Sequence, residues 1–174
     1  IPLLTPGEKI SERCVRSLQY YLEEGWEIHY IGTKAGIERS LIEPMQGVTY
    51  HAVSSGKLRR YFDWKNFTDP FRVIAGAFQS ARLMGKIKPD VVFSKGGFVS
   101  VPVVMAAKGR CPVLCHESDY SPGLANKIAS RFADTVCTTF ADTVSKVPAG
   151  KGVHTGTPIR PEVLQGNRER GRKY

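Results

Sequence analysis

The sequence predicts an α/β domain built on a parallel sheet with helices on both faces. From Trp26 onward, strand-like and helix-like segments alternate at a spacing that leaves one crossover helix between successive strands. Turn and cap residues punctuate those segments where helices should begin. The chain has 174 residues, enough for one domain with a real core and too few for two ordinary ones.

The elements follow in order. "WEIHYIG" reads as a strand ending on Gly32, "GIERSLIEPM" as a helix stopped near Pro44, and "VTYHAV" as a strand with period-two alternation. A polar, aromatic loop follows, "SSGKLRRYFDWKNFT". Asp69 then caps a helix over 71–86, with Pro70 at its first position. Next come the strand "DVVFS", a helix from Ser100, the strand-like run "PVLCHES", a helix capped by Ser121 with Pro122 behind it, the strand "TVCTTF" and a last short strand in "GVHTG". The whole reads as a Rossmann-like domain over 26–160. Residues 1–25 fit less well: a helix is suggested over 8–24, and nothing ahead of it reads as a full buried strand. The chain starts at Ile1 and stops at Tyr174 inside "PEVLQGNRERGRKY", a helix just beginning, so a piece of a longer protein is expected.

Charge points to an anionic partner. Lys and Arg number 25 against 16 Asp and Glu, a formal net charge of +9. Nucleic acid is not expected, because the basic residues are dispersed and no reader motif is present. No apolar run approaches the roughly 18 residues of a spanning helix, and no signal-peptide pattern occurs. The four cysteines, Cys14, Cys111, Cys115 and Cys137, have neither C-x-x-C nor zinc-finger spacing and read as reduced core residues. The four histidines are scattered, so no metal site and no cofactor is expected.

Ligands of open parallel sheets bind beyond the carboxyl ends of the strands, so the residues there deserve inspection first. In "SKGGFVS", Gly96 and Gly97 let backbone approach a ligand, and the helix from Ser100 would aim N–H groups at an anion; a tight packing turn explains the same glycines. In "CHESDYSPGLANK", His116 and Glu117 project at a strand end and Asp119 lies in the loop, as a reactive set or as a hydrogen-bonded structural pair beside caps. In "TGTPIRPE", Arg160 has the planar fork that suits phosphate or carboxylate, and it is equally a surface arginine at a turn.

Read together, "KPDVVFSKGGFVSVPVVMAAK", "HESDYSPGLANK" and "TGTPIRPEVL" resemble the amino-terminal half of the MurG family, the bacterial N-acetylglucosaminyltransferases of peptidoglycan synthesis. "EEGWEIHYIG", "GIERSLIE" and "SSGKLRRYFDWKNFTDPF" extend the resemblance from about Glu23 to the end. It implies a GT-B glycosyltransferase, in which two Rossmann-like domains enclose the reaction cleft. Such enzymes move GlcNAc from UDP-GlcNAc to lipid I, giving lipid II with inversion, at the cytoplasmic face of the cell membrane as peripheral proteins. This chain would be the acceptor-binding half. Residues 161–174 would begin the connection to a carboxyl-terminal donor domain, without which turnover is not expected.

By that resemblance Gly96, Gly97 and Phe98 match the loop that cradles the acceptor diphosphate, with Ser100 opening the helix behind them. His116, Glu117 and Asp119 match the cleft-lining segment, whose last position is commonly asparagine. Asn126 matches a position on the following helix. Arg160 matches a donor-binding arginine, and Thr157 stands where many members carry asparagine or serine. The family's first strand and GGTxGH-type loop, source of its favoured general base, are not recognisable in residues 1–25, which leaves His116 and Glu117 as the catalytic candidates.

The basic charge then has a destination. Lys57, Arg59 and Arg60 lie among aromatic residues that include Trp64, and the next helix offers Phe71, Ile74 and Phe78 at i, i+3, i+7. These are expected to lean on anionic lipid headgroups, or else to divide between core and solvated face. Two other readings stay open: another GT-B transferase with a lipid-linked or sterol-like acceptor, and a non-catalytic module that grips lipid diphosphates or a partner subunit.

Overall fold

The structure, a computed structural model, describes residues 3–4, 22–54 and 69–157, with the side chains of Leu3, Leu4, Ile37 and of residues 69–73 excepted. Strands β1 (Leu3–Leu4), β2 (Ile28–Gly32) and β3 (Val48–Ala52) form one parallel ladder. Strands β4 (Val92–Ser94), β5 (Val113–Glu117), β6 (Thr135–Thr138) and β7 (Gly152–His154) form a second. Because β1 lies beside β4, the two ladders continue as one layer in the order β3-β2-β1-β4-β5-β6-β7. Every pairing among the described strands is parallel, and helices α1 (Ile37–Ile42), α2 (Asp69–Ile87), α3 (Ser100–Ala107) and α4 (Leu124–Phe132) supply the successive crossovers from β2 to β6.

Burial follows from that layering. All five residues of β2 are buried, as expected for a strand covered on both sides. Ile28 and Tyr30 face one side, where they cluster with Ile42 of α1 and with Leu22, Met45, Val48 and Tyr50. Ile31 faces the other and joins the main core of Met84, Val92, Val99, Val103, Val104, Val113, Ala129 and Val136. Helices α2, α3 and α4 pack side by side over that core. Gly76 permits one of the closest approaches: a Cβ there would collide with the Ser54 carbonyl at the end of β3. Lys88 closes α2 in the left-handed region, φ 50°, its N–H donating to the Met84 carbonyl at 2.9 Å, and Pro89 prevents further winding.

Where the structure departs from the sequence-based expectation, a side chain explains it. A first strand does exist, although only two residues long, with Leu3 and Leu4 paired to His29 and Tyr30. The suggested helix over 8–21 and any loop after β1 lie outside the described residues. Strand β5 runs through His116 and Glu117, within the run "PVLCHES", and these two pair with Cys137 and Thr138. The helix expected from Ser121 begins at Leu124, with Gly123 rather than Ser121 as its N-cap. The Glu117 carboxylate accepts the Asp119 and Gly123 N–H groups, and so holds 118–123 as a loop instead of a first turn. A 3-10 helix, Ala141–Lys146, not expected from sequence, links β6 to β7.

Cys111, Cys115 and Cys137 are free thiols, and burial pushes Cys115 up to about 11, so it stays protonated and inert. At the sheet edge, His29 Nδ1 and His51 Nε2 lie 2.9 Å apart while His29 Nε2 reaches Glu27 Oε1 at 2.9 Å. Since a carboxylate only accepts, His29 donates to Glu27 through Nε2 and accepts from His51 through Nδ1. Burial, the facing His29 and Lys86 together lower the proton affinity of His51 below the ordinary 6.5. An unfolded chain therefore binds this proton more readily than the folded one. The stabilisation is fully present above 6.5 and declines as pH falls from there towards the lower folded value. Urea unfolding between pH 7.5 and 5 should show this decline in the wild type and a shallower one in His51→Gln; equal slopes would place the titration on another group.

Candidate functional site

The site forms where the carboxyl ends of β4, β5, β6 and β7 meet the amino-terminal end of α3. Strand β4 ends at Ser94, and Lys95, Gly96 and Gly97 turn the chain towards α3. Both glycines have positive φ, 106° at Gly96 and 86° at Gly97, so a side chain at either would strain the backbone. The turn is held from inside. Ser94 Oγ accepts the Gly96 N–H at 3.2 Å, and the Ser100 hydroxyl donates to the Gly97 carbonyl at 2.7 Å. Ser94 and Ser100 are fully buried, so Ser100, expected to meet the diphosphate, braces the loop from beneath. Gly97 itself is exposed and Phe98 half-buried. Helix α3 carries no acidic side chain in its first turn, which leaves the positive end of its dipole unopposed there.

The second loop is organised by Glu117, which is only 3% exposed. Its Oε1 accepts the Asp119 N–H at 2.8 Å, and its Oε2 accepts the Gly123 N–H at 3.2 Å and Asn126 Nδ2 at 2.9 Å. Three donors to one buried carboxylate form a structural anchor, and its lone pairs point into the loop. Asn126 ties this loop to the glycine turn. Its Nδ2 reaches back to β5, while its Oδ1 is buried without a hydrogen-bond partner among the described residues and lies where a Cβ on Gly96 would come within 2.7 Å.

His116, 3% exposed, is engaged at both ring nitrogens. Its Nδ1 lies 3.1 Å from Lys95 Nζ and its Nε2 lies 3.2 Å from the Gly156 carbonyl. Lys95 Nζ also donates to Ser118 Oγ at 3.0 Å. The three strand ends are thus joined through one imidazole. Both catalytic candidates, His116 and Glu117, are thus hydrogen-bonded to the loops at this edge.

Other expected residues fall as follows. Asp119 is exposed, with its backbone N–H tied to Glu117. Thr157 donates to Thr139 Oγ1 at 3.0 Å. Arg160, Lys57, Arg59, Arg60 and Trp64 lie outside the described residues, and so does the side chain of Phe71. Ile74 and Phe78 are 54% and 74% exposed on the amino-terminal half of α2. In a parallel α/β layer that half lies at the carboxyl edge of the sheet, the edge that carries the site. Lys95 was missed from sequence, although a lysine directly between a strand and a glycine pair is a visible signal. Ser118 and the Gly156 carbonyl had none.

The profile described as "Glycosyltransferase family 28 N-terminal domain" matches residues 17–138. A Clostridium perfringens protein is 57% identical over 153 residues, which are 87% of this chain and 43% of that protein. One from Lachnospira eligens is 59% identical over 150 residues, 86% of this chain and 42% of that protein. Both bear the name UDP-N-acetylglucosamine--N-acetylmuramyl-(pentapeptide) pyrophosphoryl-undecaprenol N-acetylglucosamine transferase. The chain thus spans less than half the length of these curated relatives. The crystal structure of Acinetobacter baumannii MurG superposes with a TM-score of 0.69 at 26% identity, over 88% of this chain and 44% of that one. A UDP-N-acetylglucosamine 2-epimerase from Rickettsia bellii, TM-score 0.63 at 15% identity over 94% of this chain and 46% of that one, shares the fold.

Replacing Glu117 tests the anchor. Glu117→Gln turns one accepting oxygen into an N–H donor facing another donor, which should cost about 1–3 kcal/mol of stability. Urea denaturation of the two proteins at neutral pH measures it; an unchanged midpoint would mean the carboxylate does not hold the loop.

Proposed function

The chain belongs to glycosyltransferase family 28 through its N-terminal domain, and from that premise we propose that it is the acceptor-binding half of an inverting N-acetylglucosaminyltransferase of peptidoglycan synthesis. The reaction is transfer of GlcNAc from UDP-GlcNAc to lipid I, giving lipid II. One observation supports this reading above the others: a lysine and two positive-φ glycines lead straight into the amino-terminal end of α3, whose first turn carries no acidic side chain. A diphosphate linking a sugar to a lipid is an anion of suitable size for such a turn. The names of the relatives, which specify a pyrophosphoryl-undecaprenol acceptor, agree with it.

Gly96, Gly97 and Phe98 form the acceptor cradle in this reading, braced by Ser100. Asp119 and Arg160 stand on the donor side, to be completed by a carboxyl-terminal domain that binds the nucleotide sugar. The acceptor is membrane-anchored, so the cradle must reach a lipid surface at the cytoplasmic face. No helix among the described residues is long and apolar enough to cross a membrane, and attachment is therefore peripheral in this reading. Ile74 and Phe78 would enter the interface, with Phe71 and Trp64 beside them, while Lys57, Arg59 and Arg60 meet anionic headgroups.

Binding of a lipid I analogue in anionic vesicles tests the cradle. Gly97→Val forces a β-branched residue to φ 86°, and binding should weaken roughly tenfold or more with the fold intact by circular dichroism. Equal binding would return the glycines to packing alone. For the membrane face, Phe78→Ser should lower partition onto vesicles containing anionic lipid by a factor on the order of three to ten. Unchanged partition would put α2 away from the bilayer.

A further inference from the structure

We propose that Tyr120 and Phe140 form the subsite for the pyranose that the acceptor carries next to its diphosphate. This rests on the acceptor cradle proposed above, to which it adds a place for the sugar.

Two large aromatic side chains stand exposed at the edge that carries the site, Tyr120 at 52% and Phe140 at 44%. Tyr120 lies just beyond Glu117, which ends β5, and Phe140 just beyond Thr138, which ends β6; Glu117 and Thr138 are paired across the two strands. The rings meet edge to face, with centroids 5.9 Å apart and planes at 71°. Exposed rings on loops ordinarily turn freely, and a ligand that stacks on one must first stop it, at a cost in side-chain entropy. These two residues are already held.

The hold comes largely from the buried side. Thr143, fully buried in the 3-10 helix, donates its N–H to the Phe140 carbonyl at 3.1 Å and its hydroxyl to the Tyr120 carbonyl at 3.0 Å. Thr138, also fully buried, donates to the same Phe140 carbonyl at 3.0 Å. Lys146 Nζ donates to the Tyr120 carbonyl at 3.0 Å and lies 3.2 Å from the centroid of the Tyr120 ring. The Tyr120 hydroxyl turns to Asp142 Oδ2 at 3.4 Å. Lys146 and Asp142 carry opposite charges, and Asp119, one residue before Tyr120, adds a carboxylate, so an anion gains little at this pair. An uncharged, partly apolar ligand gains most. A pyranose has that character: the C–H bonds of its ring make a flat apolar face that packs on an aromatic side chain, while its hydroxyls stay at the rim.

Order along the sheet says which pyranose. In the proposed function the lipid lies against Ile74 and Phe78 on α2, ahead of β4, the diphosphate on the glycine turn after β4, and the donor domain beyond β7. The strands between run β4-β5-β6-β7 at a spacing of about 4.8 Å. The loops after β5 and β6 therefore stand between diphosphate and donor, roughly 5 to 10 Å across the sheet from the glycine turn. The sugar that must offer its hydroxyl to the donor is the one bonded to the diphosphate, and these loops are where it would lie.

The experiment compares a ligand that has the sugar with one that lacks it. A lipid I analogue with a short prenyl chain, and geranyl diphosphate, are titrated into the chain and its variants at fixed salt. Tyr120→Ser and Phe140→Ser should each weaken the analogue by about 3- to 10-fold and leave geranyl diphosphate unchanged. Tyr120→Phe, which keeps the ring and loses only the hydroxyl, should bind the analogue as the wild type does. Proton spectra of the bound analogue should show upfield ring-current shifts on the C–H protons of the diphosphate-linked sugar, lost in Tyr120→Ser. Should a serine variant lose its fold by circular dichroism, Tyr120→Leu and Phe140→Leu carry the same comparison.

Equal loss of both ligands in Tyr120→Ser would make Tyr120 a brace of its loop and overturn the proposal, as would analogue binding unchanged in both variants with the fold intact. Weaker partition of Tyr120→Ser onto ligand-free anionic vesicles would assign the rings to the lipid surface and overturn it too. Each of these outcomes leaves the glycine cradle standing. Failure of the wild type to bind either ligand would overturn the cradle and the sugar subsite together.

Discussion

A carboxylate buried in a protein must collect donors, and the way Glu117 does so shapes most of this site. Its partners are the Asp119 and Gly123 N–H groups and Asn126 Nδ2, all from the segment that follows its own strand. Pulling them in bends 118–123 over the end of β5, delays α4 to Leu124 and sets Asn126 against Gly96. With the carboxylate so engaged, its value lies in holding two loops at a fixed separation. Neutral donors suffice for this because three of them converge on it.

The glycine turn depends on the same anchor. Gly96 has Asn126 where a Cβ would stand, so the positive φ and the missing side chain answer one need from two directions. Ser94 and Ser100 bind the turn from beneath, and the strand register brings Ser94 opposite Cys115, one residue before His116. That offset places the lysine after β4 within reach of the imidazole on β5. Parallel pairing, through its fixed register, thus converts residues over twenty positions apart into neighbours.

Positive charge gathers at the glycine turn, while the carboxylates of this edge, Glu117 and Asp119, lie at and after the end of β5. The start of α3 carries no acid, Lys95 lies beside it, and the chain as a whole is cationic by nine charges. In the proposed function, long-range attraction of this kind would bring an anionic surface close, and the oriented contacts would decide where a diphosphate sits. The exposed Ile74 and Phe78 on α2 supply apolar surface on the same edge.

Sequence alone determined the α/β class, the succession of elements from β2 to β7, and the location of the glycine turn, because alternation, turn residues and glycine pairs are local signals. It also carried the family, since the motifs after β4, after β5 and after β7 are contiguous strings. What it could not decide was the use of each side chain in those strings. "HES" looks reactive as a string; in the fold His116 meets Lys95, 21 positions earlier, and Gly156, 40 positions later, while Glu117 turns to its own loop. The start of α4 was misplaced for the same reason, because Ser121 and Pro122 have good local propensity and lose to a carboxylate fixed by the sheet. Local preference is worth about 1 kcal/mol at a cap, and a buried charge left without donors costs several times more. Tertiary structure therefore prevails wherever the two disagree, and in this chain they disagree at the residues around the site.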